Sequence, residues 1–318
     1  MKNTIVFSLT SCKELAQEIC DHLGLTPGLI TVTHFADGEI FIEPKETVRG
    51  RKVFIIQSTC NPVNESLMEV LIAIDACKRA SAGEITVVMP YFGYARQDRK
   101  ASPRQPITSK LIADLIQAAG ASRVVTLDLH ASQIQGFFNI PIDDLTFVQM
   151  IGKYFKKLNL IENEVVVVSP DHGGTTRARK LADILHSPLA IVDKRRTSPN
   201  KAEALNIVGN VKDKKVILID DICDTAGSLV AASNILQAHG AKEIYVAVSH
   251  GIFSNNAIEL INKSPIKQLV VSNSIKVSED KLNSTDKIKI LSIGKMLAGI
   301  LYAIYNHEPV SEVYNKLQ

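Results

Sequence analysis

The chain has no tryptophan, few aromatic residues and no long apolar run, and these absences narrow its class. Of its 318 residues 5% are aromatic and 46% are hydrophobic. Such a core would be built from Val, Ile, Leu and Ala, as in α/β layers. The most apolar helical stretch, residues 296–305, is too short to cross a bilayer. Residues 1–8 lack the features of a signal peptide, so we expect no membrane partner.

Cysteine content and charge exclude further classes. Five cysteines without a CxxC pair predict a reduced, cytoplasmic protein that lacks a cysteine-based metal site. The net charge of +3 comes from 36 basic and 33 acidic residues, and these are interspersed along the chain. This balance argues against a nucleic-acid partner and against a nucleic-acid-binding scaffold.

Apolar runs alternate with helical patterns along the chain, and part of this order is repeated. Residues 52–56 resemble residues 215–219, and each run is followed by a helical pattern, a glycine turn and another apolar run. The alternation predicts parallel sheets covered by helices on both faces. We therefore expect an α/β fold of two similar domains with internal duplication. The domains would span residues 1–147 and 148–318, with the C-terminal helix available to complete the first.

The most informative segment runs from Asp220 to Ser228 and reads Asp-Asp-Ile-Cys-Asp-Thr-Ala-Gly-Ser. Its two adjacent carboxylates follow an apolar run, at the carboxyl end of a strand where open α/β sheets bind ligands. The small residues then open a helix whose N–H groups attract an anion. Carboxylates repel phosphate, so the pair suits hydroxyls or a cation, and a sugar phosphate fits both halves. The alternative is a polar connection capped by Asp224 or Thr225. Cys223 lies inside this segment, which would allow a reactive thiol, but we expect a passive side chain.

Two segments combine aromatic and charged residues. Residues 35–39, Phe-Ala-Asp-Gly-Glu, lie between two predicted strands, and Asp-Gly alone already predicts a simple hairpin. Residues 90–100 follow a strand and contain three aromatic rings among charged side chains. Rings suit stacking on a base and guanidinium groups suit phosphate, although a solvated loop would have the same composition.

Three further strand ends carry polar residues. His130 follows a predicted strand, two positions after Asp128, where an imidazole is a candidate ligand for metal or phosphate. Asp171 follows another predicted strand, next to a pair of glycines that would let the backbone approach a ligand. A lone histidine is more often structural. Residues 194–196 put three cations directly after another predicted strand. Cations that close over a site suit the charge that develops in phosphoryl transfer, and the alternative is a basic surface turn.

Together these segments resemble the ribose-phosphate pyrophosphokinase family, in its phosphate-activated, Mg²⁺-dependent class, from about Phe35 to about Ile252. The acidic segment resembles the phosphoribosyl-pyrophosphate loop that this family shares with phosphoribosyltransferases. Residues 91–99, Tyr-Phe-Gly-Tyr-Ala-Arg-Gln-Asp-Arg, resemble a signature that ordinary phosphoribosyltransferases lack. The resemblance implies a type I phosphoribosyltransferase-like fold. It also implies that ribose 5-phosphate and ATP give 5-phosphoribosyl 1-diphosphate and AMP, for nucleotide biosynthesis.

The resemblance also implies residue roles. Lys194 and Arg196 match the catalytic pair, and His130 and Asp171 match the residues linked to Mg²⁺. ATP would lie on the first domain, at Phe35, Asp37, Gly38, Glu39, Arg96 and Gln97. Ribose 5-phosphate would lie on the second, at Asp220, Asp221, Asp224, Thr225, Ala226, Gly227 and Ser228. A hexameric homo-oligomer, inhibited by ADP and activated by phosphate, is implied as well.

Departures from the family pattern are few. Asn139 stands where the family often has Asp, and Ser228 keeps the hydroxyl of the usual Thr. Asn255-Asn256 replaces a common Gly-Pro in a region linked to effectors, which leaves the regulation by ADP and phosphate open. Two alternatives remain, a phosphoribosyltransferase and a non-catalytic regulatory paralogue of the synthetase. The first would lack the signature at 91–99, and the second would be expected to have lost catalytic residues.

Overall fold

The computed structural model describes residues 1–195 and 204–313. The strands are β1 (Thr4–Ser8), β2 (Ile30–His34), β3 (Ile40–Pro44), β4 (Lys52–Ile56), β5 (Glu84–Met89), β6 (Arg123–Leu127), β7 (Ile142–Leu145), β8 (Val165–Ser169), β9 (Leu189–Arg195), β10 (Ala204–Val208), β11 (Lys215–Cys223), β12 (Glu243–Gly251), β13 (Ile266–Ser272) and β14 (Ile288–Leu291). The helices are α1 (Lys13–Leu23), α2 (Val63–Arg79), α3 (Thr108–Ala119), α4 (Val148–Lys157), α5 (Thr175–Leu185), α6 (Gly227–Ala238), α7 (Ala257–Lys263), α8 (Glu279–Asn283) and α9 (Gly294–Asn306). The predicted alternation of strands and helices is confirmed.

The chain divides into two compact units. Among the described residues, unit 1 contains Met1–Thr146, Ser274–Lys276 and residues 292–313, and unit 2 contains Phe147–Asn273 and Val277–Leu291. The chain therefore returns to unit 1 at its end, and α9 packs against α1 there. The side chain of Ser292 is hydrogen-bonded to Glu18 of α1.

Unit 1 is built on a parallel sheet in the order β1-β4-β5-β6-β7. Its central strands are apolar over most of their length, as residues 53–56 and 87–89 illustrate, because helices cover both faces of such a sheet. A separate hairpin of β2 and β3 packs on α2. The resulting core contains fully buried residues such as Phe7, Ile55 and Ile74.

Unit 2 repeats this order. Its sheet runs β10-β9-β8-β11-β12-β13-β14, and every neighbouring pair is parallel except β9 and β10. The series β8-β11-β12-β13-β14 corresponds strand for strand to β1-β4-β5-β6-β7 in unit 1. The pair β4 and β11 contains the two apolar runs whose likeness is visible in the sequence. Their equivalent places in the two sheets confirm the predicted internal duplication.

No helix in the described part of the chain is long and apolar enough to span a membrane.

Candidate functional site

The two adjacent carboxylates lie inside the last part of β11, which runs to Cys223 and so extends beyond the predicted apolar run. Pairing of β11 with β8 ends at Leu218, whereas pairing with β12 continues to Cys223. One edge of β11 is therefore no longer paired with β8 where Asp220 and Asp221 begin. Because successive residues of a strand point to opposite faces, this strand end presents carboxylates on both sides.

Arg177 connects the two carboxylates. Its Nη1 lies 3.7 Å from Asp220 Oδ1 and 3.6 Å from Asp221 Oδ1, and its side chain is 15% exposed. Arg177 belongs to the first turn of α5, where the positive end of the helix dipole repels a cation. The two carboxylates offset that cost. The sequence analysis gives Arg177 no role, because the pairing of β8 with β11 that brings it to the acidic pair is not visible in the sequence.

The acidic pair is electrostatically strained. Burial and the neighbouring Asp221 carboxylate raise the pKa of Asp220, and the Arg177 guanidinium opposes that rise. Two like charges in a poorly solvated place resist ionising together. A ligand that donates hydroxyl protons, or a bound cation, would relieve this repulsion.

The turn after the carboxylates leads into α6, whose N-cap residue is Ala226. An alanine side chain cannot accept a hydrogen bond, and neither Asp224 nor Thr225 occupies the N-cap position that the alternative interpretation gives them. Ala226 adopts a φ of 63°, a left-handed conformation that costs an alanine about 1–2 kcal/mol. Such strain is concentrated at functional sites, and the N–H groups of the first helical turn are suited to an anion.

Thr225, Gly227 and Ser228 are exposed in this turn, whereas Cys223 is 1% exposed. Burial raises the pKa of the Cys223 thiol to about 12. A buried thiol of raised pKa stays protonated at neutral pH, which favours the passive interpretation of Cys223.

Asp171 lies in the turn between β8 and α5, at the same edge of the sheet. Its Oδ1 accepts a hydrogen bond of 3.0 Å from the Gly174 N–H, and its carbonyl accepts one of 2.6 Å from Ser169 Oγ. A Cβ at position 174 would lie 2.9 Å from Ser169 Oγ, so the close turn requires glycine. The carboxylate is thus held in place while its residue stays exposed.

His172, the next residue, reaches towards β9. Its Nε2 lies 3.2 Å from Asp193 Oδ1. This contact ties the turn that carries Asp171 to the last part of β9, where the first of the predicted catalytic cations lies.

Lys194 belongs to β9, which runs to Arg195, and its backbone pairs with Leu205 of the antiparallel β10. The expectation that three cations follow the strand is therefore wrong, because the pairing with β10 extends the strand through the first two of them. Arg196 lies outside the described residues.

In unit 1, residues 35–39 form the tip of the β2–β3 hairpin, as the Asp-Gly pair predicts. The Asp37 carboxylate accepts a hydrogen bond of 3.1 Å from the Glu39 N–H, and Gly38 adopts a φ of 96°. The Phe35 ring is 56% exposed and meets the Phe41 ring edge to face at 5.8 Å. Among the described residues the ring is thus accessible to a ligand.

The segment after β5 differs from the expectation of stacking rings. Tyr91 and Phe92 are 6% and 3% exposed, and Phe92 packs edge to face on Phe138 at 6.0 Å. These rings belong to the core of unit 1 and cannot stack on a base without unpacking it. Arg96 and Gln97, by contrast, are exposed. Their contact with the phosphates of ATP stays a prediction.

Gln97 is partly committed to the fold. Its side-chain Oε1 accepts a hydrogen bond of 2.5 Å from Thr108 Oγ1, and its carbonyl accepts bonds from the N–H and the hydroxyl of Ser109. Gln97 thus closes the start of α3. A contact with ATP would use its remaining NH₂ group.

His130 lies just after β6 and is exposed. The preceding Asp128 adopts a φ of 42°, and its N–H is bonded to the Leu145 carbonyl at 2.8 Å. Asp144 of β7 accepts bonds of 3.1 Å from Thr126 Oγ1 and from the Leu129 N–H. The strand end that presents His130 is therefore rigidly held.

Within the described residues no three His, Cys, Asp or Glu side chains come together as a metal cluster. The exposed Asp171 carboxylate is nevertheless a hard oxygen ligand of the type that Mg²⁺ prefers, and Mg²⁺ usually retains several waters and binds substrate phosphates. A site of few protein ligands thus fits Mg²⁺ better than a metal that requires a closed protein cage.

Two sequence profiles match the chain. The N-terminal domain of ribose phosphate pyrophosphokinase matches residues 4–120, and the phosphoribosyl synthetase-associated domain matches residues 194–315. The second match begins at Lys194 and includes the acidic segment.

Full-length relatives agree with the profiles. The chain is 54% identical over 314 residues to the ribose-phosphate pyrophosphokinase of Bacillus subtilis, covering 99% of this chain and 98% of the relative. It is 53% identical over 313 residues to the enzyme of Corynebacterium ammoniagenes, covering 98% of each. Among solved structures, the phosphoribosylpyrophosphate synthetase of Mycobacterium smegmatis superposes with a TM-score of 0.91 at 38% identity, covering 96% of this chain and all of that one.

Proposed function

The chain belongs to the ribose-phosphate pyrophosphokinase family, as an enzyme that transfers the diphosphoryl group of ATP to the 1-hydroxyl of ribose 5-phosphate; we propose that its acidic loop binds the sugar phosphate. The products are 5-phosphoribosyl 1-diphosphate and AMP. The single observation that carries the assignment of the site is the acidic pair followed by the start of α6, whose N-cap is a strained alanine.

Each half of the acidic loop suits a different part of the sugar phosphate. The carboxylates of Asp220 and Asp221 are acceptors, and ribose hydroxyls are donors, so the pair would bind the 2- and 3-hydroxyls. The first turn of α6 and the Thr225 and Ser228 hydroxyls would bind the 5-phosphate, because N–H and O–H groups are donors and the helix N-terminus favours negative charge. Asp224 would complete the loop. Support for this arrangement comes from the exposure of Thr225, Gly227 and Ser228.

ATP would bind to unit 1. The exposed ring of Phe35 would cover the adenine, and Asp37, Gly38 and Glu39 would contact the nucleoside. Arg96 would contact the phosphates, for which a planar guanidinium is suited, and Gln97 would add one amide donor. The burial of Tyr91 and Phe92 leaves Phe35 as the better candidate of the two segments for stacking.

In the chemical step the 1-hydroxyl oxygen attacks the β-phosphorus of ATP, and the bond between that phosphorus and the α-phosphate oxygen breaks. AMP leaves with the electron pair, and the hydroxyl proton is lost. Negative charge grows on the oxygens around the β-phosphorus, so we propose that Lys194 and Arg196 stabilise it. The match of residues 194–315 to the synthetase-associated domain supports this proposed role of the two cations.

Asp171 and His130 would hold Mg²⁺, Asp171 through its carboxylate or through bound waters and His130 through a neutral imidazole. When bound, the ion would neutralise charge on the phosphate oxygens of ATP. The fixed orientation of the Asp171 carboxylate by the Gly174 N–H supports this role.

Substitution Asp171→Asn is expected to raise the Mg²⁺ concentration for half-maximal activity about tenfold, because one charge-assisted contact of about 1.5 kcal/mol is lost. His130→Ala should act in the same direction. Titration of Mg²⁺ at a fixed concentration of MgATP measures the effect. Asp183→Asn on α5 is the control, since it removes the same charge from an exposed position. An unchanged metal requirement in both Asp171→Asn and His130→Ala would make these residues merely structural.

Self-association and a cytoplasmic location belong to the same proposal. The N-cap residue Ile107 and the α3 residues Leu111 and Leu115 form an apolar stripe at a spacing of four that is 37–56% exposed, and such faces favour contact with another chain. A hexamer would use faces of this type.

The five cysteines are all free thiols, which agrees with a reducing compartment. Effects of ADP and phosphate would be read from activity at varied effector concentrations.

The function is tested by the release of AMP from ATP in the presence and absence of ribose 5-phosphate. Release that depends on ribose 5-phosphate is expected. A non-catalytic regulatory paralogue would bind nucleotide without forming AMP. A phosphoribosyltransferase would consume 5-phosphoribosyl 1-diphosphate and require a nucleobase.

A further inference from the structure

A buried carboxylate in unit 1 has no part in the chemistry described above. Glu69 of α2 is 2% exposed. Its Oε2 accepts hydrogen bonds from the Thr10 N–H at 3.2 Å and from Gln57 Nε2 at 2.7 Å, and its Oε1 accepts one from the Thr10 hydroxyl at 2.7 Å. A buried charge persists only when it is well paired. Glu69 therefore fixes the residue that follows β4, Gln57, against the turn that follows β1.

The network continues from Gln57 to the next residue. Gln57 Oε1 accepts from the N–H of Ser11 at 3.0 Å and from its hydroxyl at 2.8 Å. The Ser58 N–H in turn faces Ser11 Oγ at 3.1 Å and Cys12 Sγ at 3.2 Å. Side chains therefore bind the backbone that follows β4. In a loop that binds a ligand, such backbone groups would instead be accessible.

Ser58 and Thr59 then hold the segment that follows β5. Ser58 Oγ accepts from the Tyr91 N–H at 3.1 Å and donates to the Ser274 carbonyl at 2.5 Å. Thr59 donates its N–H to the Tyr91 carbonyl at 3.0 Å, and Thr59 Oγ1 accepts from the Gly93 N–H at 2.6 Å. A Cβ on Gly93 would lie 2.5 Å from the Thr59 carbonyl oxygen. Only glycine permits this approach.

This network lies at the place in unit 1 that corresponds to the acidic loop of unit 2. Residues 57–59 follow β4, the strand that corresponds to β11, and so they occupy the place that the acidic loop occupies in unit 2. In unit 1 these residues are at most 1% exposed, and their polar groups bond inside the protein. In unit 2 the end of β11 presents the acidic loop. In unit 1 the residues after β4 instead hold the segment that follows β5.

We propose that Ser58 and Thr59 are positioning residues for ATP, acting through the segment Tyr91–Gln97. This inference rests on the proposed binding of ATP by Arg96 and Gln97. The segment is held at one end by Ser58 and Thr59 and at the other by Ser109, whose N–H and hydroxyl donate to the Gln97 carbonyl at 3.2 and 3.0 Å. Arg96 lies exposed between these two anchors. Loss of one anchor would let the guanidinium move away from the phosphates without removing it.

The test compares Thr59→Val with Thr59→Ser. Valine has the shape of threonine but cannot accept from the Gly93 N–H, whereas serine keeps the hydroxyl. We expect Thr59→Val to raise the KM for ATP and the Kd for ATP, measured by equilibrium binding, about tenfold, while the KM for ribose 5-phosphate stays within about twofold. Thr59→Ser should restore values within about twofold of the unsubstituted protein. Thr4→Val is the matched control: it is the same change in the same unit, and Thr4 Oγ1 has no hydrogen-bond partner among the described residues.

Three results would overturn the proposal. The ATP constants of Thr59→Val could stay unchanged, they could rise equally in Thr4→Val, or both substrates could be affected alike. A lowered melting temperature without a change in ATP affinity would also reduce Thr59 to a structural role. Ser58→Ala provides an independent variant should Thr59→Val fail to fold, with the same expected split between the two substrates. Failure of the proposed function is separate, because it would be seen as absence of AMP formation in the unsubstituted protein.

Discussion

Replacement of Lys194 or Arg196 by alanine is expected to lower kcat about a hundred- to a thousandfold. Both Michaelis constants should stay within about twofold. The reason is that these cations are proposed to meet charge that grows only in the transition state, and a contact of that type is worth about 2.7–4 kcal/mol. An interaction made equally with bound ATP would instead change KM.

Steady-state kinetics of Lys194→Ala, Arg196→Ala and the double variant measure this effect. The double variant should lose less than the product of the two single losses, because both cations act on the same phosphoryl group. Arg195→Ala is the matched control, since it removes a cation of the same segment that has no proposed role. Near-normal kcat with raised KM values in Lys194→Ala and Arg196→Ala would identify the pair as ground-state phosphate ligands and contradict the catalytic role.

Substitution Asp220→Ala or Asp221→Ala is expected to weaken the use of ribose 5-phosphate about ten- to a hundredfold and to change ATP binding little. A hydrogen bond from a hydroxyl to a charged acceptor contributes about 1.5–3 kcal/mol. Each carboxylate lies within 4 Å of the Arg177 guanidinium, so removal of one also leaves the other more strongly paired with Arg177. That pairing would compete with the sugar and add to the loss.

The measurement is the KM for ribose 5-phosphate at saturating ATP, together with the Kd for ribose 5-phosphate by calorimetry. Asp286→Asn, an exposed carboxylate on another loop of unit 2, is the control for a lost negative charge. If Asp220→Ala and Asp221→Ala bind ribose 5-phosphate as tightly as the unsubstituted protein, the hydroxyls are bound elsewhere.

Much of the fold follows from the sequence pattern. The apolar runs at residues 52–56 and 215–219 predict buried parallel strands, and their likeness predicts the duplication seen in the two strand orders. Local chemistry also predicts the hairpin at Asp37-Gly38. These features depend on neighbouring residues, which periodicity and turn propensity can detect.

Other features depend on contacts between distant residues and could not be predicted. Charged neighbours in sequence predict that the rings of Tyr91 and Phe92 are available to a base, yet both rings are buried and Phe92 packs on Phe138. The extension of β9 through Lys194 depends on its pairing with β10. Arg177 meets the acidic pair only because α5 follows the strand next to β11.

One departure from the family pattern has a physical explanation. Asn255 adopts a φ of 54°, a left-handed conformation that glycine adopts readily and that asparagine tolerates better than most residues. The Asn therefore occupies a position where the family commonly has Gly without requiring a different backbone.

The central claim is that a diphosphoryl group moves from ATP to the 1-hydroxyl of ribose 5-phosphate, and ³¹P NMR of the reaction tests it most directly. The expected spectrum shows ATP replaced by AMP, with a new diphosphate on carbon 1 of a sugar that keeps its 5-phosphate. Formation of ADP together with a sugar bisphosphate would show transfer of a single phosphoryl group and would contradict the account.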